Sequence, residues 1–172
     1  PALLTLAEKT IWTGEFGEGE RWLRRAAQAL EADDAPGIRL RLHLVSGMLH
    51  AGRGRPREAL EEFRAAGRLQ PQLASSLPLG GQVTGWLLAT QARLGLTGEA
   101  RAGLAALADD VVGAGEIRNA RAVICLAGGD PVEALAAVRE VLDGTAPVIG
   151  CGTVIEAQLL AGLAYRALGD RC

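Results

Sequence analysis

The side chains with chemistry to offer in this 172-residue sequence are few. They are two carboxylate pairs (Asp33-Asp34 and Asp109-Asp110), two histidines seven residues apart (His43 and His50), three cysteines and one lysine, Lys9. Paired carboxylates act as general acid and base when their surroundings split their pKa values. Both pairs here fall between helical patterns, where adjacent acids are solvated charges. A spacing of seven puts the histidines on one helical face, but a metal needs a third ligand and none stands nearby. Cys125, Cys151 and Cys172 form no CxxC pair and no zinc ligand set, which fits free thiols in a reducing cytoplasm. Lys9 follows no glycine loop, so a Walker A phosphate loop is excluded. Gly113-Ala-Gly115 and Gly150-Cys-Gly152 each begin a dinucleotide-type glycine pattern, but Arg118 and Ile155 stand where its last glycine belongs. Ser46, Ser75 and Ser76 lie in no nucleophile elbow. We expect no enzyme, no metal and no cofactor in this chain.

Composition narrows the class further. There are 18 basic and 20 acidic residues, net charge −2, and 3% aromatics, which disfavours a broad nucleic-acid surface. No apolar run reaches the roughly 18 residues of a membrane span, and the start shows no signal-peptide pattern. The chain opens on Pro1-Ala2-Leu3-Leu4, and we expect a fragment of a longer protein. Glycine is abundant, at 23 residues.

Those glycines recur in a frame. Gly54-Arg-Pro56-Arg-Glu58-Ala59-Leu60 and Gly129-Asp-Pro131-Val-Glu133-Ala134-Leu135 share Gly, then Pro two later, then Glu-Ala-Leu. This is a helix start: glycine closes the preceding turn, Asp130 is a good N-cap and Arg55 a poor one, and proline suits the first helical position. Gly95-Leu-Thr97-Gly98-Glu99-Ala100, with Thr97 as the expected cap, and Gly14-Glu-Phe16-Gly17-Glu18-Gly19 repeat the frame. Leu168-Gly169-Asp170 begins it again. A period between 20 and 50 residues marks stacked supersecondary units. The unit is a helix pair. First helices include Leu79–Arg93 and Ile155–Leu168, and second helices are Arg21–Ala32, Pro56–Leu69, Glu99–Asp109 and Pro131–Leu142. Ile38–Leu44 alternates with period two, yet a lone strand would lack a partner, so we assign it to helix. Pro71–Gly81, with Pro71, Pro78 and Gly80-Gly81, reads as the clearest loop. The expectation is an all-α fold: a right-handed solenoid of antiparallel helix pairs, about nine helices, forming one domain over 1–172. Its repeats are about 1–36, 37–73, 74–113, 114–146 and 147–172, the last truncated.

The second repeat resembles the tetratricopeptide repeat. Gly47 takes the small position of the first helix, Ala59, Phe63 and Ala66 the small, large and small positions of the second, and Pro71 the end. His43, Ser46 and His50 replace apolar or aromatic residues. Gly162 and Tyr165 fit the same frame in the last repeat, whereas the other repeats keep only small and apolar slots. Close-packing slots are expected at Gly19, Gly47 and Gly162.

A narrower resemblance covers about the last 50 residues. Leu126-Ala-Gly-Gly-Asp130-Pro131-Val-Glu-Ala134-Leu135, then Val141-Leu142-Asp143-Gly144-Thr145-Ala146-Pro147-Val148, then Ile155-Glu156-Ala157 and Leu168-Gly169-Asp170 are similar to the sensor region of large ATP-dependent LuxR-type, MalT-like bacterial regulators. Gly150, Cys151 and Gly152 depart from the bulkier residues usual there. The resemblance implies a middle helical-repeat module that senses an inducer or partner protein and governs self-association and DNA binding. ATP and DNA would be handled by modules outside this chain. The alternative is a stand-alone tetratricopeptide adaptor for a protein partner.

In such a solenoid the first helices line the concave face. The frame places Glu8 and Trp12, Arg41 and Met48, Gln82 and Arg93, Glu116 and Asn119, and Glu156 and Arg166 there. We take Trp12, Arg41, Gln82, Arg93, Glu116, Asn119 and Glu156 as candidate ligand-binding residues for a small effector or a partner protein. A packed Trp12 and a solvated inner face are the competing readings. Arg53, Arg55, Arg57, Arg64 and Arg68 cluster within 37–73, which carries seven Arg against three Glu. This reads as a solvated outer helix, or as contact with an acidic neighbour or nucleic acid. A homo-oligomer is a further expected partner, and a membrane is not.

Overall fold

A computed structural model describes residues 2–30, 35–72, 77–107, 113–148 and 151–169. Among them the chain is all-helical, with no strand. Nine α-helices are described: α1 (Ala2–Trp12), α2 (Phe16–Leu30), α3 (Pro36–Gly52), α4 (Pro56–Leu69), α5 (Leu77–Arg93), α6 (Thr97–Ala105), α7 (Gly115–Ala127), α8 (Pro131–Leu142) and α9 (Cys151–Ala167). They divide into two compact units, residues 1–76 and 77–172.

One turn design makes the helix pairs. At Gly14, Gly54, Gly95 and Gly129 the backbone takes φ between +71° and +81°, a region nearly closed to other residues. The residue after each glycine donates its N–H five residues back: Glu15 to Thr10, Arg55 to His50, Leu96 to Gln91 and Asp130 to Cys125, all at 2.8–2.9 Å. This is the Schellman closure, which satisfies a helix's last carbonyls and sends the chain back antiparallel. Pro56 and Pro131 then open the next helix. Asp130 caps α8 through Oδ1, which accepts from the Glu133 N–H at 3.0 Å, whereas Arg55 makes no side-chain cap. Thr97 is not a cap: Leu96 holds that place without a side-chain bond, and Thr97 is the first helical residue.

One further expectation changes, and one, the helical assignment of Ile38–Leu44, holds. Pro78 and Gly80-Gly81 lie inside α5 rather than in a loop. A proline in the first turn removes only an N–H that has no helical partner, so Pro78 starts the helix instead of breaking it. The period-two stretch Ile38–Leu44 is helical within α3. Asp33-Asp34, Asp109-Asp110 and Cys172 lie outside the described residues.

In the first unit Ala59, Phe63 and Ala66 are fully buried, and Phe63 presses on Gly47, where any Cβ would overlap its ring. Met48 packs in this core instead of lining an open face. α2 is tied to the end of α3 by Arg53, which donates to Glu20 Oε2 at 2.8 Å and to the Phe16 carbonyl at 3.2 Å. In the second unit Ala, Val and Leu side chains of α5 to α9 form one cluster around Ala120, Val138 and Ala164. Cys125 is half-buried at its edge, and burial pushes its thiol above the ordinary range, so it is a poor nucleophile at neutral pH.

The slots at Gly19 and Gly47 are close-packed, but a Cβ at Gly162 would meet nothing. Gly47→Ala should therefore cost about 1–3 kcal/mol by overpacking, whereas Gly162→Ala should be neutral or stabilising, because alanine is the better helix former. Chemical denaturation of the two variants checks this. The bond from Arg53, reinforced by its charge, holds the Glu20 carboxyl below the usual carboxylate range. A carboxyl with a lowered folded-state pKa contributes stability above its unfolded value and loses it as pH falls through the lowered one. Arg53→Ala should return the Glu20 titration, followed by NMR, to the ordinary range.

Candidate functional site

Polar side chains from α5, α7 and α9 converge in the second unit. α5 and α7 can approach because Gly85 carries no side chain: a Cβ there would lie 2.6 Å from the Glu116 carbonyl oxygen. Gly115 repeats the device one pair later, where a Cβ would lie 2.7 Å from Val148 and 3.1 Å from Thr153. These close approaches carry Glu116 and Asn119 inward, to 7% and 1% exposure.

Burial obliges such groups to find partners. The Thr153 hydroxyl donates to Glu116 Oε1 at 2.8 Å. The Asn119 amide donates to the Thr153 carbonyl at 2.8 Å and lies 3.5 Å from Glu156 Oε2. Arg93 donates to Glu156 Oε1 at 2.7 Å, so the more exposed end of the network is an ion pair between α5 and α9. Asn119 Oδ1 is buried and accepts no hydrogen bond among the described residues. Two carboxylates and that amide oxygen leave the cluster richer in acceptors than in donors. A ligand bearing hydroxyl or ammonium groups complements it.

Of the seven candidate residues, the structure brings Arg93, Glu116, Asn119 and Glu156 together in this cluster. Gln82 is buried on α5, in the same unit. Trp12 and Arg41 belong to the other unit. There Arg41 donates to Glu8 Oε2 at 3.1 Å and Thr5 Oγ1 at 3.0 Å, tying α3 to α1, while Trp12 is 37% exposed. Arg166 is exposed on α9. The turn glycines supply a ruler for these positions: Arg41, Gln82, Glu116 and Glu156 each lie thirteen residues before Gly54, Gly95, Gly129 and Gly169. One frame position of the repeat is polar four times over.

Sequence reasoning missed Thr153. Its hydroxyl is the contact that holds Glu116, and its only signal is a place one turn before Glu156 and Ala157. It also missed a second feature, a cavity of about 160 Å³ lined by Leu104, Ile117, Arg118 and Arg121. Both arginines there face carboxylates of α8, Arg118 to Glu140 at 2.5 Å and Arg121 to Glu133 at 3.6 Å, so their charge is already matched. His43 is bonded to Glu62 at 2.7 Å, between α3 and α4. Among the described residues no group of three metal-ligating side chains comes together, and no helix is long and apolar enough to cross a membrane.

No protein-family model matches the chain, and no curated protein matches its sequence.

Thr153→Val should leave the Glu116 carboxylate without its hydroxyl donor. The expected cost is about 1.5–3 kcal/mol of stability, the worth of one hydrogen bond to a charged group. Thermal and urea unfolding of the variant measure it.

Proposed function

We propose that this chain is a regulatory sensing region, the helical-repeat module of a LuxR-type, MalT-like transcriptional regulator, working in the cytoplasm and doing no chemistry of its own. It takes up a small effector rich in hydroxyl or ammonium groups at the α5–α7–α9 cluster. ATP and DNA belong to other modules of the parent protein. The observation that carries the reading is the polar frame position, filled by Arg41, Gln82, Glu116 and Glu156, against a core that is mostly apolar. Ordinary repeat packing is served by apolar residues, and buried polar groups are costly unless a function keeps them. The likeness of residues 126–170 to the sensor regions of such regulators adds the regulatory context.

The reading as an adaptor for a protein partner keeps one observation on its side, the exposed apolar residues of α9.

A thermal-shift series with glucose, maltose and putrescine separates the two. A ligand that binds only the native state raises the melting temperature by mass action. The expected result is a dose-dependent rise with one of these probes. In Glu156→Gln, which removes a charged acceptor from the cluster, the rise should shrink, with affinity lower by roughly tenfold or more for a lost charge-assisted hydrogen bond, and the helical circular-dichroism signal should be unchanged. No rise with any probe leaves the adaptor reading in place.

A further inference from the structure

The cluster of α5, α7 and α9 is rich in acceptors, and its donors are already engaged. The Thr153 hydroxyl proton goes to Glu116 Oε1. The Asn119 amide goes to the Thr153 carbonyl and faces Glu156 Oε2. The Arg93 guanidinium, from the last residue of α5, donates to Glu156 Oε1. On the acceptor side stand two carboxylates, each able to take several bonds, and Asn119 Oδ1, which is buried and takes none among the described residues. The charges are unequal as well. Glu116 and Glu156 face Arg93 alone, one negative charge in excess.

These two facts discriminate between ligand chemistries. A sugar hydroxyl both donates and accepts, so a buried one needs a donor from the protein. A quaternary ammonium brings charge but no N–H. A primary ammonium brings three N–H donors, one positive charge and no acceptor, and an aliphatic amine is protonated at neutral pH as lysine is. It meets both the surplus of acceptors and the surplus of negative charge. The way in leads past Arg93. Asn119 is 1% exposed, whereas the Glu156 and Arg93 side chains are 19% and 41% exposed, so Glu156 stands between a buried amide and an outer guanidinium. A partly exposed ion pair adds little net stability, and opening it costs correspondingly little.

We infer that the cluster takes the ammonium head of a primary amine, and that the amine displaces Arg93 from Glu156. The inference rests on the reading of this cluster as an effector site and names the chemical class of the effector. The three N–H groups of the head match Glu156, Glu116 and Asn119 Oδ1. Arg93 is then a lid and not a ligand. Its guanidinium is the chain's own cation on a carboxylate that an outside cation can claim, and the long side chain at the end of α5 turns to solvent when it does. Displacement also opens the ion pair that joins α5 to α9, so occupancy of the cluster is felt at both helices.

Titration calorimetry in phosphate buffer at fixed sodium chloride concentration tests this, with butylamine, putrescine, butyltrimethylammonium, glucose and maltose as probes. Butyltrimethylammonium has the charge and chain of protonated butylamine but no N–H. The expected result is binding of butylamine and putrescine, with butyltrimethylammonium weaker by at least about tenfold and no binding of either sugar. Two variants at partly exposed positions should move butylamine affinity in opposite directions while keeping the helical signal. Glu156→Gln should weaken it by roughly tenfold, through the loss of a charged acceptor. Arg93→Ala should strengthen it severalfold, because the competing cation is gone, whereas a ligand held by Arg93 would bind more weakly. Equal binding of butylamine and butyltrimethylammonium overturns the inference, and so does weaker butylamine binding in Arg93→Ala. Binding of glucose or maltose without the amines also overturns it but leaves the effector reading standing. No binding by any probe removes both.

Discussion

The approach of α5 to α7 at Gly85 is the constraint on which the second unit rests. Helices packed through large side chains lie about 8–10 Å apart, and here the backbone of one helix is brought directly against the backbone of the other. Any side chain at Gly85 would enter the Glu116 peptide. With that space closed, Glu116 and Asn119 cannot remain at the surface. Burial then forces the network that follows, in which Thr153 holds Glu116, Asn119 holds the Thr153 carbonyl, and Arg93 closes the outer end on Glu156. Packing by small residues and the polar cluster are thus one feature seen at two scales.

The same economy governs the first unit with different partners. Phe63 fills the hollow over Gly47, and the charges act at the edges, Arg41 on Glu8 and Arg53 on Glu20. Exposed ion pairs of this kind add little stability, and their role is to fix which helix ends meet. The Schellman glycines supply the other half of the design. Each reverses the chain in three residues, which sets consecutive helices antiparallel and side by side.

Much of this was legible because it is local. Asp130-Pro131 announces a capped helix start, the turn glycines announce their own positive φ, and the Gly47, Ala59, Phe63 and Ala66 set announces its packing. What was not legible depends on partners distant in the sequence. Pro78 and Gly80-Gly81 read as a loop because turn residues are judged by type, yet a first-turn proline is compatible with helix, and Gly81 lies beside Ala114 of the neighbouring chain segment. Met48 fell on the polar side of the frame but is core. Gly162 was expected to be a packed slot and stands open, because no described residue comes within contact of it. Thr153 carried no signal, since a single hydroxyl becomes informative only when Glu116 is brought beside it. Glu116 and Glu156 could be read from the frame alone, because they stand with Arg41 and Gln82 at the same distance from their turn glycines, whereas Arg93 and Asn119 lie at other places in the frame and join them only in the fold.

The central claim is that the glycine approach seats the polar cluster. Hydrogen–deuterium exchange on Gly85→Ala tests it most directly, with α3 and α4 as the internal reference. The account predicts that the added methyl group pushes α7 from α5, and that amides in 115–127 and 151–167 exchange faster while those of α3 and α4 do not change. Unchanged protection of α7 and α9 in a folded Gly85→Ala protein would contradict it.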